Sequence, residues 1–212
     1  MTQYAFYLNV DNCIGCKVCG MACMEKNDLL SGMRFRRILL NSTGSWEKDA
    51  SGLYVANGVF AYSLSVACNH CARPACVEQC PTGAMVKDSD TGIVSSDPET
   101  CIGCGTCGEA CPYGVPFVDP ERNIARKCDF CQEYLAVGEV PPCVGACSMN
   151  ALEYGDIEEL REKHSDAVSS IDPLPSPDLT GPSLLLVPPA KYADGLDITN
   201  FNLPEELEAC RR

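Results

Sequence analysis

Cysteine is the residue through which this chain is best equipped to do chemistry. Sixteen of its seventeen cysteines fall into four groups of four along the 212 residues. Group one is Cys13, Cys16, Cys19 and Cys23; group two is Cys68, Cys71, Cys76 and Cys80; group three is Cys101, Cys104, Cys107 and Cys111; group four is Cys128, Cys131, Cys143 and Cys147. Cys210 has no neighbour at ligand spacing, so we expect a free thiol there.

The spacing within the groups indicates what these cysteines could bind. Groups one and three read C-x2-C-x2-C-x3-C, whereas the middle gap widens to four residues in group two and to eleven in group four. Such a run is typical of bacterial ferredoxins with [4Fe–4S] clusters, in which a proline follows the last cysteine. Pro81 and Pro112 follow groups two and three, while Met24 and Ser148 follow groups one and four. The pattern therefore predicts [4Fe–4S] clusters.

Zinc and disulfides are the alternative uses of so many cysteines. Two C-x2-C pairs can form one zinc site, but three cysteines at this spacing followed by x3-C favour a cluster. Residues 1–6 show no basic start before a long apolar run, so no secretory signal is visible. The chain is also long for a small domain held together by disulfides. Because all sixteen grouped positions are cysteine, we predict four [4Fe–4S] clusters.

The ferredoxin pattern also predicts how the groups share ligands. In two-cluster ferredoxins the fourth cysteine of one run ligates the other cluster, so the groups must work in pairs. Groups two and three are neighbours and form an inner pair, which leaves groups one and four as an outer pair. The predicted ligand sets are the first set (Cys13, Cys16, Cys19, Cys147), the second set (Cys23, Cys128, Cys131, Cys143), the third set (Cys68, Cys71, Cys76, Cys111) and the fourth set (Cys80, Cys101, Cys104, Cys107).

Short elements must position these ligands. Gly15, Gly103 and Gly105 lie where the ligand loops need positive φ, and we expect the fourth cysteine of each run to begin a helix. Strand-like segments lie at 4–10, 35–40, 59–67 and 92–95, and a helix is predicted over 156–164. Residues 41–58 are polar and predict a hairpin or loop in which Trp46 packs.

These elements predict an α+β fold: two ferredoxin-like [4Fe–4S] cluster units, one inserted in the other, with an extended, loop-rich C-terminal arm. The outer unit comprises residues 1–55 and 126–164, the inner unit residues 56–125, and the arm residues 165–212. Six prolines between 173 and 189 exclude regular elements from much of the arm. The apolar run 184–187 favours docking of the arm over a solvated tail.

Composition excludes several classes of function. A formal net charge of −13 argues against nucleic-acid binding. The longest apolar tracts, 59–67 and 184–189, are shorter than the roughly 20 residues of a membrane-spanning helix, so we expect no direct span. No nucleophile–base pair, phosphate-binding loop or dinucleotide motif is present, so no catalytic residue is predicted. A series of clusters without an active site predicts electron transfer.

Polar residues beside the ligands could adjust the clusters. Lys17, Arg73, Arg126 and Lys127 lie close to ligands in the sequence and could raise local reduction potentials, with ordinary solvated charge as the alternative. His70 lies inside group two, where four thiolates are already available per cluster, so we expect it to support the site and not to ligate it. His164 is expected to be solvated.

Several segments outside the cysteines resemble one protein family. They are Gln3-Tyr4-Ala5-Phe6, Phe35-Arg36-Arg37-Ile38, Cys68-Asn69-His70-Cys71, Pro81-Thr82-Gly83-Ala84-Met85 and Cys111-Pro112-Tyr113-Gly114. In these segments, and over residues 3–190 generally, the sequence resembles the iron–sulfur electron-transfer subunit of dimethyl sulfoxide reductase and its molybdopterin-dependent relatives. Ser148 and residues 200–212 depart from the family pattern.

The resemblance implies partners that the spacing does not. Such subunits pair with a molybdenum bis-pterin catalytic subunit, and many contact a membrane anchor that oxidises quinol. Single electrons would run from quinol through four clusters to the substrate site. The chain would then be membrane-associated through its partners, on the extracytoplasmic face by co-export, although a cytoplasmic complex fits equally well. The alternative is a cluster subunit of a formate dehydrogenase, hydrogenase or catechol dehydroxylase complex.

Overall fold

The fold is a mixture of short helices and strands, as the sequence predicts. The computed structural model describes residues 2–192 and 198–200. The strands are β1 (Tyr4–Asn9), β2 (Arg37–Lys48), β3 (Tyr54–Val66), β4 (Met85–Lys87), β5 (Val94–Ser96), β6 (Phe117–Asp119), β7 (Ile124–Arg126), β8 (Leu152–Asp156), β9 (Leu184–Val187) and β10 (Ile198–Asn200). The helices are α1 (Val18–Lys26), α2 (Ala75–Glu78), α3 (Thr106–Ala110), α4 (Gln132–Ala136), α5 (Pro142–Gly145) and α6 (Ile157–Lys163), with a 3-10 turn at Pro177–Leu179.

Strand β1 is the central strand of a three-stranded sheet ordered β8-β1-β9. It pairs antiparallel with β8 and parallel with β9, with Leu8 opposite Leu152 on one side and Leu186 on the other. Its inner residues are buried on both faces, which explains why this strand is a continuous apolar run. Helix α6 covers one face with Ile157 and Leu160, and Asp156 caps its first turn by accepting from the N–H of Glu158 at 2.9 Å.

Strands β2 and β3 form a long hairpin with β10 paired along β2. The half of the hairpin next to the cysteine groups is buried, whereas the half beyond residue 44 is exposed. Trp46 is 63% exposed there, so the expectation that its side chain packs in the 41–58 segment is wrong. The ring projects from the outer half of the hairpin, where every residue from 44 to 48 of β2 is exposed.

The C-terminal arm returns to the body of the protein. Strand β9 supplies an edge of the central sheet, and Val168 exchanges two backbone hydrogen bonds of 2.8 Å with Leu186. The hydroxyl of Tyr62 donates to the carbonyl of Asp172 at 2.5 Å, which fixes the proline-rich segment against the hairpin. The apolar run 184–187 therefore packs on this chain's own core. Residues 193–197 and 201–212, with Cys210, lie outside the described residues.

Two short hairpins complete the fold. β4 pairs with β5 and β6 pairs with β7, both antiparallel; the first hairpin lies between groups two and three in the sequence and the second between groups three and four. Within residues 2–192 and 198–200 the longest helix has nine residues, and none has the length and apolar character that crossing a membrane requires.

Candidate iron–sulfur centres

The structure brings the cysteines together across the groups. The first set lines one cavity, the third set lines another, and the fourth set lines a third. The four cysteines of the second set lie close enough to interact electrostatically with one another. All sixteen cysteines are free of disulfides. Each cavity thus collects three cysteines of one group and one of another, and ligation by these sets stays a prediction.

Left-handed residues give the ligand loops their shape. Gly15 and Gly103 have φ of 69° and 66° in the two Cys-Ile-Gly-Cys loops. Gly105, two residues further, has φ of 81°. The position equivalent to Gly105 in group one is Lys17, which adopts φ of 65° despite its side chain. This backbone folds the loop around the cavity so that successive cysteines face the same space.

The helices next to the ligands lie in a different place from the one expected. Cys19, Cys76, Cys107 and Cys143, each the third of its group, lie within α1, α2, α3 and α5. The fourth cysteine lies later in α1 in group one, or just after the helix in the other groups, so the expectation that it begins a helix is wrong. A single helical turn separates the third cysteine from the fourth and directs them to different cavities. α1 packs against α5, and α2 packs against α3.

Hydrogen-bond donors surround several of the sulfurs. The backbone N–H of Ala125 donates to Cys101 Sγ at 3.2 Å, and that of Ala151 donates to Cys147 Sγ at 3.3 Å. The hydroxyl of Ser65 lies 3.2 Å from Cys19 Sγ, and that of Thr106 lies 3.4 Å from Cys104 Sγ. Hydrogen bonds to ligand sulfur are one of the means by which proteins adjust cluster potential.

Buried thiols need a nearby positive charge in order to lose their protons. Burial raises the pKa of Cys23 to about 11 and of Cys76 to about 12, and it raises the pKa of Cys128 well above the usual value. These thiols would be protonated near neutral pH without a nearby positive charge, whereas a coordinating metal deprotonates a thiol outright. The buried thiols of these sets therefore suit a group that brings its own iron charge.

The geometry argues against single zinc ions. A tetrahedral zinc site with Zn–S bonds of about 2.3 Å brings its sulfurs within roughly 4 Å of each other. In the described part of the chain, no three His, Cys, Asp or Glu side chains are grouped closely enough to hold one metal ion. Each of the three cavities is instead lined by a whole set of four cysteines, which is the ligand number of a [4Fe–4S] cluster.

The charged residues singled out by sequence differ in their environments. Lys127 is buried and its ammonium contacts the carbonyl oxygens of Val94 and Cys128. Arg126 donates to buried Asp119 at 2.9 Å and to the carbonyl of Asn27 at 2.6 Å. Arg73 donates to an exposed carbonyl of the arm. Lys127 is thus the one of these cations that contacts a ligand residue directly.

Both histidines are held in place. His70 is 1% exposed, and its Nδ1 accepts from the N–H of Val94 at 2.9 Å. His164 stacks on the Tyr7 ring at 3.6 Å and lies 3.3 Å from Glu153, so the expectation of a solvated side chain is wrong. Sequence reasoning also missed Arg36, and Lys87, whose ammonium donates to the carbonyls of Cys71 at 3.0 Å and Gly92 at 2.7 Å. An arginine pair inside the β-forming segment 35–40 was the available signal for Arg36, since charged residues in such runs need a partner.

Comparison with known proteins supports an iron–sulfur site in this chain. A family model described as a 4Fe-4S dicluster domain matches residues 59–157. The B subunit of the anaerobic dimethyl sulfoxide reductase of Haemophilus influenzae is 46% identical over 193 residues, which are 91% of this chain and 92% of that protein. The probable anaerobic dimethyl sulfoxide reductase subunit YnfG of Escherichia coli is 44% identical over 207 residues, 97% of this chain and 99% of that protein.

One less similar relative is named as a subunit of a different reductase. Thiosulfate reductase electron transfer subunit PhsB of Salmonella typhi is 37% identical over 158 residues, which are 74% of this chain and 78% of that protein. Identity above 40% over nine-tenths of the chain, together with the cysteine cavities and the dicluster domain, confirms the resemblance seen in the sequence. The chain belongs to the family of iron–sulfur electron-transfer subunits of dimethyl sulfoxide reductases.

Proposed function

We propose that this chain relays single electrons through four [4Fe–4S] clusters, one held by each of the four cysteine sets. The observation that carries the proposal is the crossed grouping of sixteen cysteines around separate spaces. The clusters supply the redox chemistry, and the protein supplies spacing, shielding and charge. The crossed grouping also supports two ferredoxin-like units, with the inner unit over 56–125 inserted between 1–55 and 126–164, and an arm from 165.

The sets form a series in which each lies next to the following one. α1 carries Cys19 of the first set and Cys23 of the second. Cys128 of the second set lies close enough to Cys68 of the third for their charges to interact. α2 carries Cys76 of the third set and is followed at once by Cys80 of the fourth. An electron that enters at the first or fourth set can therefore pass through the other sets in order.

The two ends of this series reach the surface. Cys16 in the first set and Cys104 in the fourth are exposed, whereas the other described cysteines are buried or half-buried. Ile14 and Ile102, beside these two cysteines, are 63% and 60% exposed. Apolar side chains around an exposed ligand suit a docking surface for a redox partner, because association removes water between donor and acceptor.

The partners follow from the family. The relatives are named as subunits of dimethyl sulfoxide reductases and of a thiosulfate reductase. We infer a molybdenum bis-pterin catalytic subunit at one end and a quinol-oxidising membrane anchor at the other. The chain itself is then a non-catalytic subunit that is held at the membrane by its partners, on the extracytoplasmic face. The terminal substrate is chosen by the catalytic subunit.

Metal analysis of the native complex tests the proposal. Four clusters of four irons require about 16 iron and 16 sulfide per chain, and mass spectrometry of the same anaerobic preparation should find a large molybdopterin subunit and a hydrophobic anchor. Stoichiometric zinc, or iron for only two clusters, would contradict the cluster assignment. A hydrogenase subunit in place of the molybdopterin subunit would contradict the partner assignment.

A pair of serine variants tests the ligand sets. Cys147→Ser should damage the first cluster and leave the second intact, although Cys147 lies in group four. Cys210→Ser is the control and should leave iron content and all EPR signals unchanged. Selective damage to the second cluster by Cys147→Ser would show that the groups do not exchange their fourth ligand.

A further inference from the structure

Arg36 is the largest fully buried side chain of the described residues, at 1% exposure. No carboxylate within residues 2–192 and 198–200 pairs with its guanidinium in an ion pair. Its Nε and Nη2 have no hydrogen-bond partner there. A buried charge without a partner costs several kcal/mol, and so do two unsatisfied N–H groups. A protein retains such a residue where a negative group belongs beside it.

The surroundings of Arg36 identify that negative group. Burial lowers the pKa of this guanidinium, but the nearby cysteines Cys143, Cys19, Cys128 and Cys23 outweigh it and raise the pKa. Three of these belong to the second set and Cys19 belongs to the first. The backbone N–H of Arg36 also hydrogen-bonds to Cys23. The guanidinium therefore lies close to cysteines of both the first and the second set.

Two contacts hold the guanidinium in that place. The ring of Phe6 lies 4.4 Å from its central carbon, a distance at which a cation is attracted to the ring face. Nη1 donates to the carbonyl of Ser65 at 3.1 Å and lies 3.3 Å from the Ser65 hydroxyl. Nη2 and Nε are left without an acceptor among the described residues.

Ser65 extends the effect to the first set. Its hydroxyl oxygen lies 3.2 Å from Cys19 Sγ and 3.3 Å from Arg36 Nη1. Arginine nitrogen is a donor only, so the hydroxyl accepts from Nη1 and turns its own hydrogen toward the sulfur. Arg36 therefore donates a hydrogen bond to Ser65, and Ser65 donates one to Cys19.

We propose that Arg36 is the shared cation of the first and second clusters, and that it raises the reduction potential of both, in part through Ser65 for the first. This rests on the proposed function, because it requires clusters in both sets. Reduction adds one negative charge to a cluster, and a fixed buried cation stabilises that charge in a region of low dielectric. Nothing in the arginine needs to titrate, since guanidinium stays protonated.

The chain offers a matched control in the next residue. Arg37 is also buried, but its guanidinium donates to the carbonyls of Tyr113 at 2.5 Å and Gly114 at 3.4 Å, beside the third set. The test is an EPR-monitored redox titration of each cluster in the native complex, for Arg36→Gln, Arg36→Lys, Arg37→Gln and Ser65→Ala.

The proposal predicts a distinct pattern for each variant. At a fixed applied potential, Arg36→Gln should lower the reduced-to-oxidised ratio of the first and second clusters at least tenfold, which is about 59 mV for one electron. Arg36→Lys keeps the charge and should change the ratio less than about threefold. Ser65→Ala should lower the ratio of the first cluster alone. Arg37→Gln should leave the reduced-to-oxidised ratio of both the first and the second cluster unchanged.

Three outcomes would overturn the proposal. They are unchanged potentials in Arg36→Gln, an equal shift of all four clusters, or a shift in Arg37→Gln as large as that in Arg36→Gln. Iron content separates this failure from that of the proposed function: a full iron complement with unshifted potentials defeats only the role of Arg36.

If the Arg36 variants fail to assemble, a measurement on the wild-type protein tests the proposal. Pulsed EPR of complex labelled with 15N in the arginine guanidinium groups should find 15N coupled to the reduced first and second clusters. Complex with 14N in the arginine guanidinium groups is the reference for this coupling, because Arg37 also lies near the third set. Its absence from the first two clusters would refute the contact itself.

Discussion

Replacing Gly103 by alanine should selectively destabilise the cavity of the fourth set. Gly103 has φ of 66°, which costs an alanine about 1–2 kcal/mol. A Cβ there would lie 3.0 Å from the carbonyl carbon of Asn123, closer still to its oxygen, and 2.8 Å from its Oδ1. This obstacle is backbone in the β6–β7 turn, where the Asn123 N–H donates to the Asp119 carbonyl at 2.8 Å. Such overpacking adds about 1–3 kcal/mol.

Gly83 is the matched control, because it lies beside the same set and has φ of 69°, yet a Cβ there would meet no atom within 4 Å. Gly83→Ala should therefore cost only the backbone contribution of about 1–2 kcal/mol. The difference between the two variants is about 1–3 kcal/mol, or roughly 5- to 150-fold in the population of locally opened protein.

The assay is the rate at which each cluster is lost to a chelator under anaerobic conditions, followed by EPR. When opening is fast relative to iron removal, this rate follows the open population. Gly103→Ala should lose the fourth cluster at least about five times faster than Gly83→Ala, with the first two clusters unaffected. Equal rates in the two variants, or preferential loss of the first cluster, would refute the steric reasoning.

Three further changes have defined outcomes. Cys111→Ser should remove the cluster held with group two and spare the one held with group three; EPR loss of the latter would contradict the crossed ligand sets. Leu186→Ala, at a position without exposure in β9, should lower the free energy of unfolding by about 2–5 kcal/mol. The exposed Leu179→Ala should change it by less than about 0.5 kcal/mol, and equal denaturant midpoints would show that the arm does not support the core. Asp156→Ala removes the cap that accepts from Glu158 and should cost about 0.5–2 kcal/mol; an unchanged thermal midpoint would argue that the α6 cap is irrelevant.

Local patterns explain where sequence reasoning succeeds. The ligand loops depend on residues two or three apart, so Gly103 and Gly105 can be assigned positive φ from the sequence, and both adopt it. Asp156 is recognisable as the start of a helix for the same reason, since capping involves only the next three residues. The helices beside the ligands are misplaced by sequence reasoning because a single turn between two cysteines leaves no periodicity to detect.

Contacts between distant residues explain what the sequence conceals. Arg36 looks like one charge among several on a strand, and only the fold brings it close to Cys19 and Cys143. His164 is expected in water, but the pairing of β1 with β8 brings Tyr7 to its ring.

The amino-acid sequence by itself predicts the ligands and determined the family and the kind of cofactor, because cluster chemistry requires cysteine at fixed short spacings and the flanking segments are distinctive. The tertiary structure alone decided which cysteines are exposed, that the arm completes the central sheet, and which buried cations lie near the cysteines. These features depend on packing between segments up to about 180 residues apart in the sequence, such as β1 and β9. No local sequence pattern indicates such contacts.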